Sequence, residues 1–97
     1  MLDRMKREIE MAERHMNVLE HVQSDGPIGI VKLSKRTDYA HHKVRYTLRV
    51  LEEEGLVEPT NSGAVALKET EEFIEDMNGD IDDLVEMLRK MKIDNGV

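Results

Sequence analysis

Apolar residues recur in an unbroken 3-4-3-4-3 rhythm near both ends of this chain. They fall at Leu2, Met5, Ile9, Ala12, Met16 and Leu19, and again at Ile74, Met77, Ile81, Leu84, Leu88 and Met91. Side chains so spaced share one face of an α-helix, and the period-two alternation of a strand does not reproduce them. The spacing predicts one helix from Leu2 to about Gln23 and another from about Glu69 to Lys92. Val18 and Val22 widen the apolar face of the first, where a globular core would begin. Asn78-Gly79 falls inside the second, where glycine costs roughly 1 kcal/mol against alanine. The register nevertheless crosses the pair without a slip, so the helix is expected to continue. Asp94-Asn95-Gly96-Val97 is expected to fray.

Between these helices the punctuation is dense. Ser24-Asp25-Gly26-Pro27 ends the first helix, because proline cannot continue it. A short helix is expected from Ile28 to about Arg36, with Ile30, Val31 and Leu33 as its apolar members. Thr37-Asp38-Tyr39-Ala40 reads as a turn, in which Thr37 or Asp38 is placed to cap the next helix. That third helix runs from about Ala40 to Glu54, with Val44, Leu48 and Leu51 facing inward and Gly55 closing it. Leu56–Pro59 and Ala64–Leu67 are two extended runs around the turn residues Thr60-Asn61-Ser62-Gly63, a small hairpin in which Pro59 is confined to an edge or strand end. The fold class expected is mainly α with a small β-hairpin and long N- and C-terminal helices. Residues 1–24 form the first helix, 25–68 the central unit, and 69–97 an acidic heptad helix.

Composition narrows the function classes. The 97 residues make one domain, with only Tyr39, Tyr46 and Phe73 as aromatics, which suits an aliphatic helical core. Without cysteine there is no disulfide, thiolate metal site or cysteine nucleophile. No run approaches the ~18 apolar residues of a membrane span, and Met1–Glu8 lacks the apolar core of a secretory signal, so a cytoplasmic protein is expected. His15 and His21 do not share a helix face, and the adjacent His41 and His42 point apart; a histidine–carboxylate metal site is left open only between subunits. Asp80, Asp82 and Asp83 near Gly79 lack the spacing and closing Glu of a calcium loop. No phosphate-cradling glycine loop or serine-nucleophile signature is present and no carboxylate spacing marks a catalytic pair, so neither an enzyme nor a cofactor is expected.

The net charge of −7 conceals a separation of sign. From Ile28 to Leu51 six cations (Lys32, Lys35, Arg36, Lys43, Arg45, Arg49) stand against Asp38 alone, a net of +5, which leaves −12 for the rest. A phosphate backbone meets the local field, not the average. The plainer alternative is that these basic residues merely solvate two exposed helix faces. With Val44, Leu48 and Leu51 packed inward, the opposite side of the third helix carries His41, His42, Arg45, Tyr46 and Arg49, and positions 41, 45 and 49 form one ridge. An α-helix fits the major groove of DNA, where arginine grips guanine bidentately.

Leu33-Ser34-Lys35-Arg36-Thr37, a turn, and then the run from His42 to Glu58 resemble the helix-turn-helix and hairpin entry of winged-helix regulators of the ArsR, MarR and PadR-like groups and many short archaeal regulators. The most specific piece is Val-x3-Leu-x2-Leu-x3-Gly-Leu-Val from Val44 to Val57, and the resemblance covers about Ile28 to Leu67. It implies a winged helix-turn-helix that binds double-stranded DNA, with the helix of about 40–54 in the major groove and its N-terminal residues nearest the bases. By that analogy His41, His42 and Arg45 reach base edges, while Lys43, Tyr46 and Arg49 meet phosphates. Tyr46 could equally lean onto the hairpin. Ser34, Lys35 and Thr37 would touch the flanking backbone. The hairpin tip departs from the family pattern: it carries no Arg or Lys, so Asn61 or Ser62 supplies at most a polar backbone contact.

Some forty residues of winged helix cannot cover two helices of over twenty residues. Leu2, Met5, Ile9, Ile74, Met77, Ile81, Leu84, Leu88 and Met91 are therefore expected at a homodimer interface. Two-fold symmetry would set two groove helices about 34 Å apart, one turn of DNA. The acidic residues of the last helix would solvate its outer face, some of them pairing with Arg4, Lys6, Arg7 and Arg14. A transcriptional regulator acting as a homodimer is the expectation. The competing reading is a winged-helix module for protein contact without DNA; a third is a regulator that also senses an unspecified small molecule between the arms and the core.

Overall fold

In the computed structural model, which describes residues 1–96, the order is α1 (Asp3–Asp25), α2 (Ile30–Thr37), α3 (His41–Glu53), β1 (Val57–Thr60), β2 (Gly63–Ala66) and α4 (Thr70–Lys90). Val97, the last residue of the expected frayed tail, lies outside the described residues. The described residues are mainly helical, with one two-stranded antiparallel hairpin. The α4 helix continues through Asn78-Gly79, as its apolar register requires.

The core is aliphatic. Val18, Leu19 and Val22 of α1 meet Leu33 of α2, Val44, Leu48 and Leu51 of α3, and Leu56, Val57 and Ala64 around the hairpin. Phe73 and Ile74 from the first turn of α4 pack half-buried against that cluster. Everything beyond is solvent: α1 is exposed through Glu13 and α4 from Asn78 onward. Within one chain these two helices do not run along one another. The result is an elongated body of 59 × 28 × 20 Å with a radius of gyration of 16.0 Å, against about 13 Å for a compact chain of this length.

Three boundaries differ from the sequence reading, each for a physical reason. Ile28 does not open α2. Its N–H donates to the Ala64 carbonyl at 3.1 Å and its carbonyl accepts the Ala64 N–H at 2.8 Å, a one-residue antiparallel bridge on the outer side of β2. The hairpin turn is two residues, Asn61-Ser62, because Thr60 and Gly63 pair directly. Neither Thr37 nor Asp38 caps α3: Ala40 holds that position without a side-chain bond, and Asp38 takes up the left-handed conformation (φ 65°) that ends α2.

The end of α3 closes as the sequence suggests. Gly55 adopts φ 75°, the Gly55 N–H reaches the Glu52 carbonyl, and the Leu56 N–H reaches the Leu51 carbonyl, the paired bonds of a Schellman cap. The Leu56 carbonyl then accepts two further bonds, from the Leu67 N–H at 2.9 Å and from the buried Thr70 hydroxyl at 2.6 Å. One residue thus fastens α3, the hairpin and the root of α4 together.

Candidate nucleic-acid interface

The third helix is rooted by Val44, Thr47, Leu48 and Leu51, all buried, against α1, α2 and β1. That anchoring turns His41, His42, Lys43, Arg45, Tyr46 and Arg49 outward, and all six are exposed. The first turn of α3 carries no acidic residue and no side chain caps it, so its free N–H groups and its macrodipole add positive potential to the end that bears the two histidines.

Arg45 and Arg49 lie on the side of α3 that faces the hairpin. With Leu48 and Glu52 they form one wall of a groove of about 540 Å³, whose other wall is the hairpin from Pro59 to Ala64, the lining being completed by Ile28, Gly29 and Ile30. Among the described residues the ion pairs are Arg4–Glu8, His21–Asp25 and Arg36–Asp25. Lys32, Lys35, Lys43, Arg45 and Arg49 therefore face solvent with no carboxylate partner. Two of these cations stand on α2 and three on α3, where Arg45 and Arg49 share the groove wall with Glu52; the excess of positive charge on this side suits a polyanion. Arg36 is the exception, since its guanidinium is held by Asp25 at the end of α1.

The hairpin tip is exposed at Asn61 and Ser62. The Thr60 hydroxyl donates to the Gly63 carbonyl and accepts the Ser62 N–H, which fixes the turn and leaves the Asn61 side chain and Ser62 hydroxyl pointing to solvent without a recorded protein partner.

The other expected contacts divide. Lys35 is exposed, but Ser34 and Thr37 are half-buried and their hydroxyl protons are engaged locally. Ser34 donates to the Tyr39 carbonyl; Thr37 donates to the Leu33 carbonyl at 2.7 Å and accepts the Tyr39 N–H at 3.3 Å. They hold the turn that sets α2 against α3. Tyr46 does not lean onto the hairpin. Its ring stands 6.4 Å from that of His15 on α1, on the other flank of α3 from Arg45. Burial, and secondarily the neighbouring Arg14 guanidinium, holds the His15 imidazolium below its usual pKa, so His15 is a neutral packing residue at pH 7.

Sequence reasoning missed Glu52, together with Gly29 and Ile30, as lining residues. Glu52 was within reach of sequence reasoning, since it follows Arg49 by three and Arg45 by seven and so shares their face. The Gly29–Ile30 contribution depends on the Ile28–Ala64 bridge and has no local signal.

Of the expected dimer residues, Leu2, Met5, Ile9, Ile81, Leu84, Leu88 and Met91 are exposed apolar side chains. Ile74 and Met77 are half-buried within their own chain instead. Ile74 packs on the core, and Met77 lines a cavity of about 290 Å³ shared with Ala12, His15, Met16 and Phe73. Among the described residues the α4 carboxylates do not pair with Arg4, Lys6, Arg7 or Arg14. Among the described residues no cluster of three or more His, Asp or Glu is placed to hold a metal ion, and no helix is long and apolar enough to cross a membrane. No protein-family model matches the chain, and no curated protein aligns with it significantly.

Proposed function

We propose that this protein is a winged helix-turn-helix regulator of transcription that binds double-stranded DNA as a homodimer, with α3 in the major groove. The observation that carries the reading is the exposed face of α3, where Arg45 and Arg49 line the groove beside the hairpin without a carboxylate partner. Aliphatic residues root the opposite side of the same helix, so the cations can enter a groove without disturbing the core. His41, His42 and Arg45, nearest the positive end of α3, take the base edges; Lys43 and Arg49 take phosphates. Asn61 and Ser62 add a polar contact from a hairpin that carries no cation. The acidic surface of α4 repels DNA and so confines it to the basic side.

A protein-docking role without DNA is favoured by one observation, the bare hairpin tip, and it leaves the five free cations unexplained. Titration of a random duplex at ~50 mM salt separates the two. The regulator binds there, with affinity falling linearly on a log–log salt plot. Arg45→Ala with Arg49→Ala weakens binding and reduces that slope by about one, the share of the phosphate contact assigned to Arg49. A wild-type protein that leaves the duplex free at this salt refutes DNA binding.

A further inference from the structure

Charge reverses along α3. Lys43, Arg45 and Arg49 stand on its earlier turns, whereas Glu52, Glu53 and Glu54 crowd its end, and its last turn holds no basic residue. Of the three carboxylates, Glu52 alone is a lining residue of the groove beside the hairpin. The other charged lining residues are Arg45 and Arg49, and the hairpin wall from Pro59 to Ala64 contributes none. Glu54 stands on the opposite flank, lining the cavity it shares with His15, Phe73 and Met77.

Glu52 follows Arg49 by three residues, a spacing at which two side chains on a helix can bridge. They do not bridge. Glu52 is exposed, and among the described residues no cation lies within ion-pair distance of it. Its carboxylate stands about 5 Å beyond Arg49 and about 10 Å beyond Arg45 along the helix axis. The negative end of the α3 macrodipole lies on the same side and adds to its field. A phosphate opposite Arg45 or Arg49 is attracted; one displaced toward the last turn of α3 is repelled. A carboxylate there cannot strengthen a phosphate contact, but it can discriminate between placements. Repulsion of this kind suppresses wrong placements more than it strengthens the right one.

We infer that Glu52 is a specificity-determining residue of the DNA-binding groove. Its carboxylate limits how far along α3 a DNA backbone lies, by penalising registers that carry a phosphate to the last turn. The register that brings base edges to His41, His42 and Arg45 leaves Glu52 clear of phosphate. Non-specific binding samples many registers and so meets the penalty. The inference rests on the proposed function and deepens it, adding a residue that selects among duplexes by exclusion.

The test compares two near-isosteric substitutions of equal charge, Glu52→Gln in the groove and Glu54→Gln on the other flank. Both side chains are exposed and neither forms an ion pair among the described residues, so the fold is left intact. Wild type is first used to select a duplex from a random library. Each protein is then titrated with that duplex and with the unselected pool at ~100 mM salt, read by fluorescence anisotropy. Glu52→Gln is expected to bind the pool about three- to fivefold more tightly than wild type, and the selected duplex within about 1.5-fold. Glu54→Gln is expected to leave both affinities within about 1.5-fold of wild type. Equal tightening by the two variants reduces the effect to net charge and overturns the inference. Equal tightening of both duplexes by Glu52→Gln also overturns it, as does weaker binding, which would make Glu52 a support for Arg49. A wild type that binds every duplex alike overturns it as well. Failure of wild type to bind any duplex at ~50 mM salt refutes the DNA reading itself. That outcome is distinct from a bound pool whose affinity Glu52→Gln leaves unchanged, which overturns the role of Glu52 alone.

Discussion

The main chain of Ile28 passes so close to Gly63 that a Cβ on Gly63 would stand 2.5 Å from the Ile28 carbonyl carbon. Gly63 also has φ 126°, which side-chain-bearing residues rarely adopt. Gly63→Ala is therefore expected to destabilise the fold by about 2–3 kcal/mol and to break the Ile28–Ala64 bridge. Chemical denaturation measures the first, and hydrogen exchange at the Ile28 and Ala64 amides the second. Retention of wild-type stability would mean that the two segments separate without cost.

Thr47 is fully buried in α3, and its hydroxyl has no hydrogen-bond partner. A buried unsatisfied hydroxyl costs roughly 1–3 kcal/mol, and valine keeps the shape without the polar atom. Thr47→Val should leave stability unchanged or raise it, read as a higher denaturation midpoint at constant m-value. A clear loss of stability would place a bridging water at Thr47.

Gly79 lies in the interior of α4, with nothing within 4 Å of where its Cβ would be. Gly79→Ala should stabilise the arm by about 1 kcal/mol, seen as slower amide exchange across residues 80–90. An unchanged rate there would show that the arm's helicity is already saturated by association.

His15 gives a pH dependence whose sign is fixed by its surroundings. Burial first, and Arg14 second, depress its folded pKa below the unfolded value near 6.5. Its contribution is complete above the unfolded pKa and is lost as pH falls from there through the folded pKa, because the unfolded chain then binds the proton more readily. The thermal unfolding midpoint should fall less steeply for His15→Asn than for wild type as pH is lowered below the unfolded value near 6.5. Parallel curves would assign the acid sensitivity to other groups.

Much of this architecture was legible because its determinants are local. The stripes from Leu2 and from Ile74 fix two helices by period alone, and Val44, Leu48 and Leu51 fix the inward side of α3, which leaves Arg45 and Arg49 outward by geometry. What escaped is non-local. A strand of one residue has no period, so nothing local distinguishes Ile28 from the start of a helix; only its pairing with Ala64, distant in sequence, makes it a strand. Nor did the sequence show that the hairpin would wall in Arg45, Arg49 and Glu52. Ser34 and Thr37 read as surface hydroxyls because their bonds to the Tyr39 and Leu33 main chain depend on how one turn closes.

Leu56 has a mechanical consequence. Its N–H seals the end of α3 while its carbonyl holds Leu67 and Thr70, the threonine from which α4 departs. The long arm is thus a lever whose fulcrum is also the rear mount of the groove-facing helix. Sideways movement of the distal end of α4 would be passed through Thr70 and Leu56 to the end of α3, so under the proposed function the position of the arm would also set the pitch of the basic helix.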